Sequence, residues 1–231
     1  MQRRDLLLGA GALALTGCIE APAQGLPPDV AARYAARVDG GFTVHAVPAA
    51  HLPPRNRRVT VAYTGPERPG TIVVDPHARF LYLVTGPQRA FRYGIAVGWE
   101  GRNFAGTAAI RRKAVWPSWT PTANMIRMHP EHYAPYARGL PGGPPNPLGA
   151  RALYLYRGGR DTMYRIHGTQ ETSAIGHDTI AGCIRLFNQD IIDLYDRVPM
   201  GAPVKVRSMA ESLRLEGRLA EGPDGILRAA G

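Results

Sequence analysis

Long hydrophobic runs are missing from this chain. The longest apolar stretch, Leu6 to Leu15, is too short to span a bilayer core of about 30 Å comfortably. Cysteine is nearly absent too: 231 residues hold two, Cys18 and Cys183. Acidic residues are few, 18 against 28 Lys and Arg, which leaves a formal charge of +10. The basic residues are scattered rather than blocked, so nucleic acid is not the indicated partner. Such a field suits a carboxylate-bearing polymer or a membrane surface, and it equally suits a merely solvated arginine-rich exterior. There is no internal repeat. What is present in quantity is apolar residue, 45% of the chain, enough for one domain with a real core plus appendages.

The N-terminus reads as an export signal over residues 1–17: Arg3-Arg4 in a charged start, the apolar run, then a small-residue exit. Leu15-Thr16-Gly17-Cys18 resembles the bacterial lipobox, and Arg3-Arg4 resembles a twin-arginine signal. The lipobox implies a lipid on Cys18, hence a membrane-anchored periplasmic protein, and Ile19 fits sorting to the outer membrane. The alternative is a soluble periplasmic protein with Cys18 lost in the leader. In both cases Cys183 is the one thiol left in the folded part. It has no intramolecular disulfide partner, and in an oxidising compartment it is a liability unless buried or used.

Residues 18–69 read as a tether and N-terminal extension. Within it, Asp29 is placed to cap a short helix with Val30, Tyr34 and Val38 on its apolar side. Residues 42–70, with Pro48, Pro53, Pro54, Pro66 and Pro69, read as an extended connector holding one strand, Val59 to Tyr63. From Thr71 the texture turns to short β-rich runs. Ile72-Val73-Val74 and Phe80 to Val84 flank a turn at Asp75 to Arg79, and strands follow at Phe91 to Val97, Ala108 to Val115, Leu153 to Tyr156, Met163 to Ile166 and Val204 to Val206. Short strands of this kind pack face to face. The Trp- and Pro-rich stretch 116–149 reads as a lid, a binding wall or irregular packing around two tryptophans. Asn188 is placed to cap a helix carrying Ile191, Leu194, Tyr195 and Val198, stopped by Pro199. Residues 208–231 read as a C-terminal extension without legible chemistry.

Chemistry concentrates in residues 164–187. An apolar strand delivers His167, and Cys183 follows behind a glycine sixteen positions on. The two meet only if the polar run from Gln170 to Thr179 loops out and returns. A thiol beside an imidazole becomes a thiolate facing an imidazolium, its pKa falling from about 8.5 to roughly 4 to 7. The plain alternative is a small buried hydrophobe and a satisfied core histidine. A zinc site from His167, His177 and Cys183 lacks a fourth ligand and the usual close pairs.

Ile166-His167-Gly168-Thr169, Gly182-Cys183-Ile184-Arg185-Leu186, Asn188-Gln189-Asp190 and Val198-Pro199-Met200-Gly201 closely resemble the L,D-transpeptidase (YkuD) catalytic domain. The likeness covers about residues 70–207. It implies a mainly β protein, a β-sandwich with a short helix after the catalytic cysteine. The implied reaction cuts the bond between diaminopimelate at position three and D-Ala at position four of a peptidoglycan stem peptide. The acyl group then passes to an amine, giving a 3-3 crosslink or protein anchoring; hydrolysis as an L,D-carboxypeptidase and an inactive wall-binding lipoprotein are the alternatives. By the same resemblance Cys183 is the nucleophile, His167 the base and the Gly168 carbonyl its orienter. The amides of Gly182 and Cys183 form the oxyanion hole, and Arg185, Ala181 and Thr169 line the substrate site. Carbapenem-type inhibitors are expected to react, and no cofactor or metal is implied. Many members carry Ser-His before the Gly-Cys pair where this chain has Ile180-Ala181, so those two side chains bring no help here.

Overall fold

The computed structural model describes residues 25–98, 104–179 and 183–230. Runs of β-branched and aromatic residues become strands wherever turn residues interrupt them. The strands are β1 (Arg37–Asp39), β2 (Phe42–Val44), β3 (Val59–Ala62), β4 (Ile72–Asp75), β5 (Phe80–Gly86), β6 (Arg89–Gly94), β7 (Ala96–Gly98), β8 (Gly106–Val115), β9 (Arg151–Arg157), β10 (Arg160–Thr169), β11 (Asp178–Thr179), β12 (Ile184–Phe187), β13 (Pro203–Val206), β14 (Leu219–Glu221) and β15 (Leu227–Ala229). Helices are short: α1 (Pro28–Arg33), α2 (Ala123–Met128), α3 (Pro130–Tyr133), α4 (Asn188–Arg197) and α5 (Met209–Glu216).

Eleven strands form one mixed sheet in the order β11-β7-β12-β10-β9-β8-β13-β4-β5-β6-β3. β10 with β12, β11 with β7 and β13 with β4 run parallel; the remaining neighbours are antiparallel. The expected single strand from Phe91 to Val97 is broken at Ile95. β6 stays in one end of the ladder while β7 joins the other, so the chain itself draws the two ends together. Gly94 marks the bend, since a Cβ there would meet the Asn56 backbone at 2.7 Å. The sheet thus folds over one apolar core. Ile72, Leu81, Tyr93 and Ile95 from one end share a cluster with Ile166, Ile184 and Leu186 from the other, and Ile191, Leu194 and Val198 from α4 and its exit close it. The protein is mainly β, with a helix directly after the cysteine-bearing segment, as the sequence leads one to expect.

Both flanks depart from expectation. α1 ends at Arg33; Val30 and Tyr34 are buried, but Val38 sits in β1 at 77% exposure. Asp29 is not the cap and instead pairs with Arg33 at 3.3 Å. The presumed connector is docked, with Leu52 and Asn56 buried and β3 paired to β6. Asp39 fixes the β1–β2 hairpin by accepting from Arg151 at 2.6 and 2.8 Å and from the Trp116 indole at 2.8 Å. At the other end, α5 begins with a Ser208/Glu211 capping box, and the β14–β15 hairpin follows. The stretch 116–149 buries Trp116 but leaves Trp119 half-buried against Tyr133 and Tyr136, with α2 and α3 standing out from the body.

Candidate active site

Strand β10 reaches the site because its apolar residues alternate. Ile166 turns into the core, so His167 must turn to the opposite face. Parallel pairing sets His167 beside Arg185 and Ile166 beside Ile184. Arg185 therefore shares the face of His167. Cys183 directly precedes β12, two residues before Arg185. Residues 170–177 leave β10 and the chain rejoins the sheet as β11, and Cys183 is partly exposed.

The imidazole is nearly enclosed, 3% exposed. Its Nδ1 lies 2.6 Å from the Gly168 carbonyl oxygen. A carbonyl only accepts, so Nδ1 carries the proton and Nε2 keeps its lone pair. Burial pushes the His167 pKa down to about 4; the Gly168 carbonyl opposes this, while Arg185 and Arg165 add to it. At neutral pH the ring is uncharged. Desolvation of the ring outweighs the carbonyl's support for the charged form.

Gly168 and Gly149 are glycines for a steric reason. A Cβ on either would collide with the Asn188 amide oxygen, and Gly149 also has φ +61°. Asn188, expected as a helix cap, makes no cap bond. Its oxygen accepts from Ala150 N–H at 2.9 Å and its Nδ2 donates to the Thr169 carbonyl at 3.0 Å. It thereby staples the start of β9 to the end of β10 around the histidine's own carbonyl partner. Sequence reasoning missed this; the two glycines bracketing the strand pair were the available signal.

Arg185 donates to Glu171 at 2.9 Å, Glu171 being largely exposed. Both line a cleft of about 550 Å³ with Asp178, Thr179 and, from the projecting segment, His129, His132 and Tyr133. Thr169 lines a different hollow, about 410 Å³, with Gln170, Thr172, Asn188, Gln189 and His45. Its hydroxyl accepts from Glu171 N–H at 3.0 Å, a turn-closing role. Residues 170–174 thus form a wall between two clefts. His177 packs beside Gly225. The expected contributions of Ala181, Gly182 and the lipid site Cys18 lie outside the described residues. A partly exposed thiol just before β12 and an oriented imidazole on the neighbouring β10 are groups of the kind that carry acyl transfer through a thioester.

The family model of the YkuD L,D-transpeptidase catalytic domain matches residues 69–206. The chain belongs to that family. It is similar to the probable L,D-transpeptidase YbiS of Escherichia coli K12, 36% identical over 141 residues, covering 59% of this chain and 44% of the relative. The probable L,D-transpeptidase ErfK/SrfK of Salmonella typhimurium is likewise 36% identical over 141 residues, covering 60% of this chain and 44% of its own length. The match thus spans less than half the length of these curated relatives. A solved Brucella melitensis structure, described as a probable carnitine operon oxidoreductase, is 51% identical and covers 65% of this chain and 92% of its own, with a TM-score of 0.48.

Proposed function

We propose that this protein is a peptidoglycan L,D-transpeptidase working through a Cys183 thioester. The observation that supports the reading is the parallel pairing of β10 with β12, which sets His167 beside Arg185, two residues after Cys183, while the Gly168 carbonyl engages Nδ1 and so leaves the Nε2 lone pair for proton transfer.

Nε2 of His167 takes the thiol proton as sulfur attacks the carbonyl between diaminopimelate and D-Ala. The oxyanion is received by the backbone amides of Gly182 and Cys183, donors worth about 3 to 4 kcal/mol each where one has been removed in other enzymes. The imidazolium so formed protonates the departing D-Ala amine, leaving the acyl group on sulfur. An incoming amine, from a second stem peptide or a protein lysine, then gives its proton to His167 and takes the acyl group. Arg185 at the cleft offers a cation for a substrate carboxylate. Export and a lipid on Cys18 would hold the enzyme at the periplasmic face of the outer membrane; one acyl chain binds marginally, and the further chains of a lipoprotein make anchoring stable.

Purified protein incubated with a carbapenem tests the thiol directly. A covalent mass increase that vanishes in Cys183→Ala is expected; no adduct under reducing conditions overturns the proposal. Incubation with a tetrapeptide stem and an acceptor stem should release D-Ala and yield a dimer joined through the third residues. Tripeptide alone would assign the acyl group to water.

A further inference from the structure

The geometry points to Arg79 as a positioning residue for the nucleophile, acting through Asp178 and held from outside by the β14–β15 hairpin. This rests on the thioester reading above.

Arg79 occupies the turn between β4 and β5 with φ +58°, in the left-handed region where a glycine or asparagine is the ordinary choice, and it is only 2% exposed. The turn does not need its side chain. Asp75 Oδ1 already accepts from His77 N–H at 3.1 Å and Ala78 N–H at 2.8 Å, and the Arg79 carbonyl accepts from Ile95 N–H at 3.1 Å. Every recorded bond of the guanidinium goes elsewhere. Nε and Nη2 grip both carboxylate oxygens of Asp178 at 3.1 Å, Nη1 donates to the carbonyls of Gly176 at 2.9 Å and Gly225 at 2.8 Å, and Nη2 also reaches Glu221 at 3.3 Å.

Asp178 is the first residue of β11, which pairs with one edge of β7, while β12 pairs with the other. β11 and β12 thus lie on opposite edges of β7, and Cys183 directly precedes β12. A planar fork on the first residue of β11, itself fixed by a carbonyl and a carboxylate of the C-terminal hairpin, sets the place of the strand that precedes Cys183 in the chain. A misplacement of about 1 Å at a nucleophile costs up to roughly 100-fold in rate. The hairpin that the sequence leaves without chemistry becomes the outer jaw of this clamp.

The test uses the full-length chain. Arg79→Lys keeps the charge and the turn but loses the fork. It is expected to slow carbapenem acylation and iodoacetamide alkylation of Cys183 by about 10- to 100-fold at unchanged carbapenem affinity, with melting temperature nearly unmoved. Alkylation by so small a reagent reports the thiol itself, independent of substrate contacts at the cleft. Asp178→Asn is expected to show a similar loss, and the double variant one no larger than the worse single. Glu221→Gln, at the exposed end, is expected to slow both reactions a few-fold. Wild-type rates in folded Arg79→Lys, fully additive losses in the double variant, or a loss that merely tracks the unfolded fraction would overturn the inference. Should Arg79→Lys fail to fold, Glu221→Gln and Asp178→Asn decide it by the same rates. If the wild type itself forms no adduct, the thioester reading fails, whereas an adduct formed equally fast by every variant sinks only the clamp.

Discussion

The two faces of the β10–β12 pair obey different rules. One face, Ile166, Ile184 and Leu186, is dry and apolar and joins a core that spans the whole folded sheet. The other, bearing Arg165, His167 and Arg185, is polar, and its Arg185 lines a cleft. Alternation along a strand makes both from the same seven or eight residues, so a face that only needs volume fixes the direction of a face that needs particular atoms. The core aims the chemistry. Substitutions on the two faces should then separate cleanly into losses of rate and losses of stability.

The largest effect is expected on the polar face. Cys183→Ala should abolish acyl transfer, by about 10⁴-fold or more, with the denaturation midpoint preserved. Kinetics of carbapenem adduct formation together with a urea melt measure both halves. A Cys183→Ala protein that still released D-Ala from a tetrapeptide would remove the distinction altogether. On the dry face, Ile166→Ala should cost roughly 2 to 5 kcal/mol of stability through lost burial and a cavity. Its acylation rate per folded molecule should stay within a few-fold of wild type. A rate loss far beyond the unfolded fraction would mean that the faces are not separable.

The dry face was the legible one. β-branched runs at Ile72 to Val74, Leu153 to Tyr156 and Ile184 to Leu186 announce themselves through composition, and the histidine and cysteine were found because their types are reactive and their spacing demands a returning loop. What stayed hidden was every polar group whose partner lies far off in sequence. Asn188, Gln189 and Asp190 are three successive buried polar residues at the start of α4. The sequence reading sees in Asn188 a helix cap and gives the other two no partner. In the fold Asn188 bonds Ala150 and Thr169, Gln189 donates to the carbonyls of Tyr34, Ala35 and His45, and Asp190 accepts from the Tyr34 hydroxyl. No propensity encodes a partner some 150 positions away. For the same reason residues 18–69 read as a tether and extension and residues 208–231 as a C-terminal extension, although Tyr34, Arg58, Glu216 and Glu221 tie the described parts of both to the body.

The boundary between the faces can be probed at Asn188. Its truncation to alanine leaves an Ala150 N–H and a Thr169 carbonyl buried without partners, a loss of about 1 to 3 kcal/mol. Because the same amide packs on Gly168, whose carbonyl orients His167, this variant is expected to lose rate as well. Asn188→Asp, which keeps the acceptor for Ala150 N–H but not the donor, should lie between alanine and wild type in melting temperature. Stability loss with no change in acylation would place Asn188 wholly with the dry face.

The smallest effect is a pair of opposed pH dependences. His167 has a folded pKa of about 4 against 6.5 for the free side chain, so between those values the unfolded chain binds more protons and stability falls as pH drops. Asp190 is the reverse. Burial raises it from 3.8 to about 7, Arg58 and the Tyr34 hydroxyl only partly offsetting this, so stability contributed by the protonated carboxyl is lost as pH rises toward 7. Arg58 stands 3.8 Å from Asp190 but 2.7 Å from Asp193, so its charge is spent mainly on the latter. Asp190→Asn retains an acceptor for the Tyr34 hydroxyl and removes the buried charge. It should be more stabilising at pH 8 than at pH 5. Melting curves at the two pH values read the difference. If Asp190→Asn were instead destabilising at pH 8 and neutral at pH 5, the carboxylate would be ionised and held by Arg58, and the first turn of α4 would be an ion-pair site in place of a neutral hydrogen-bonded one.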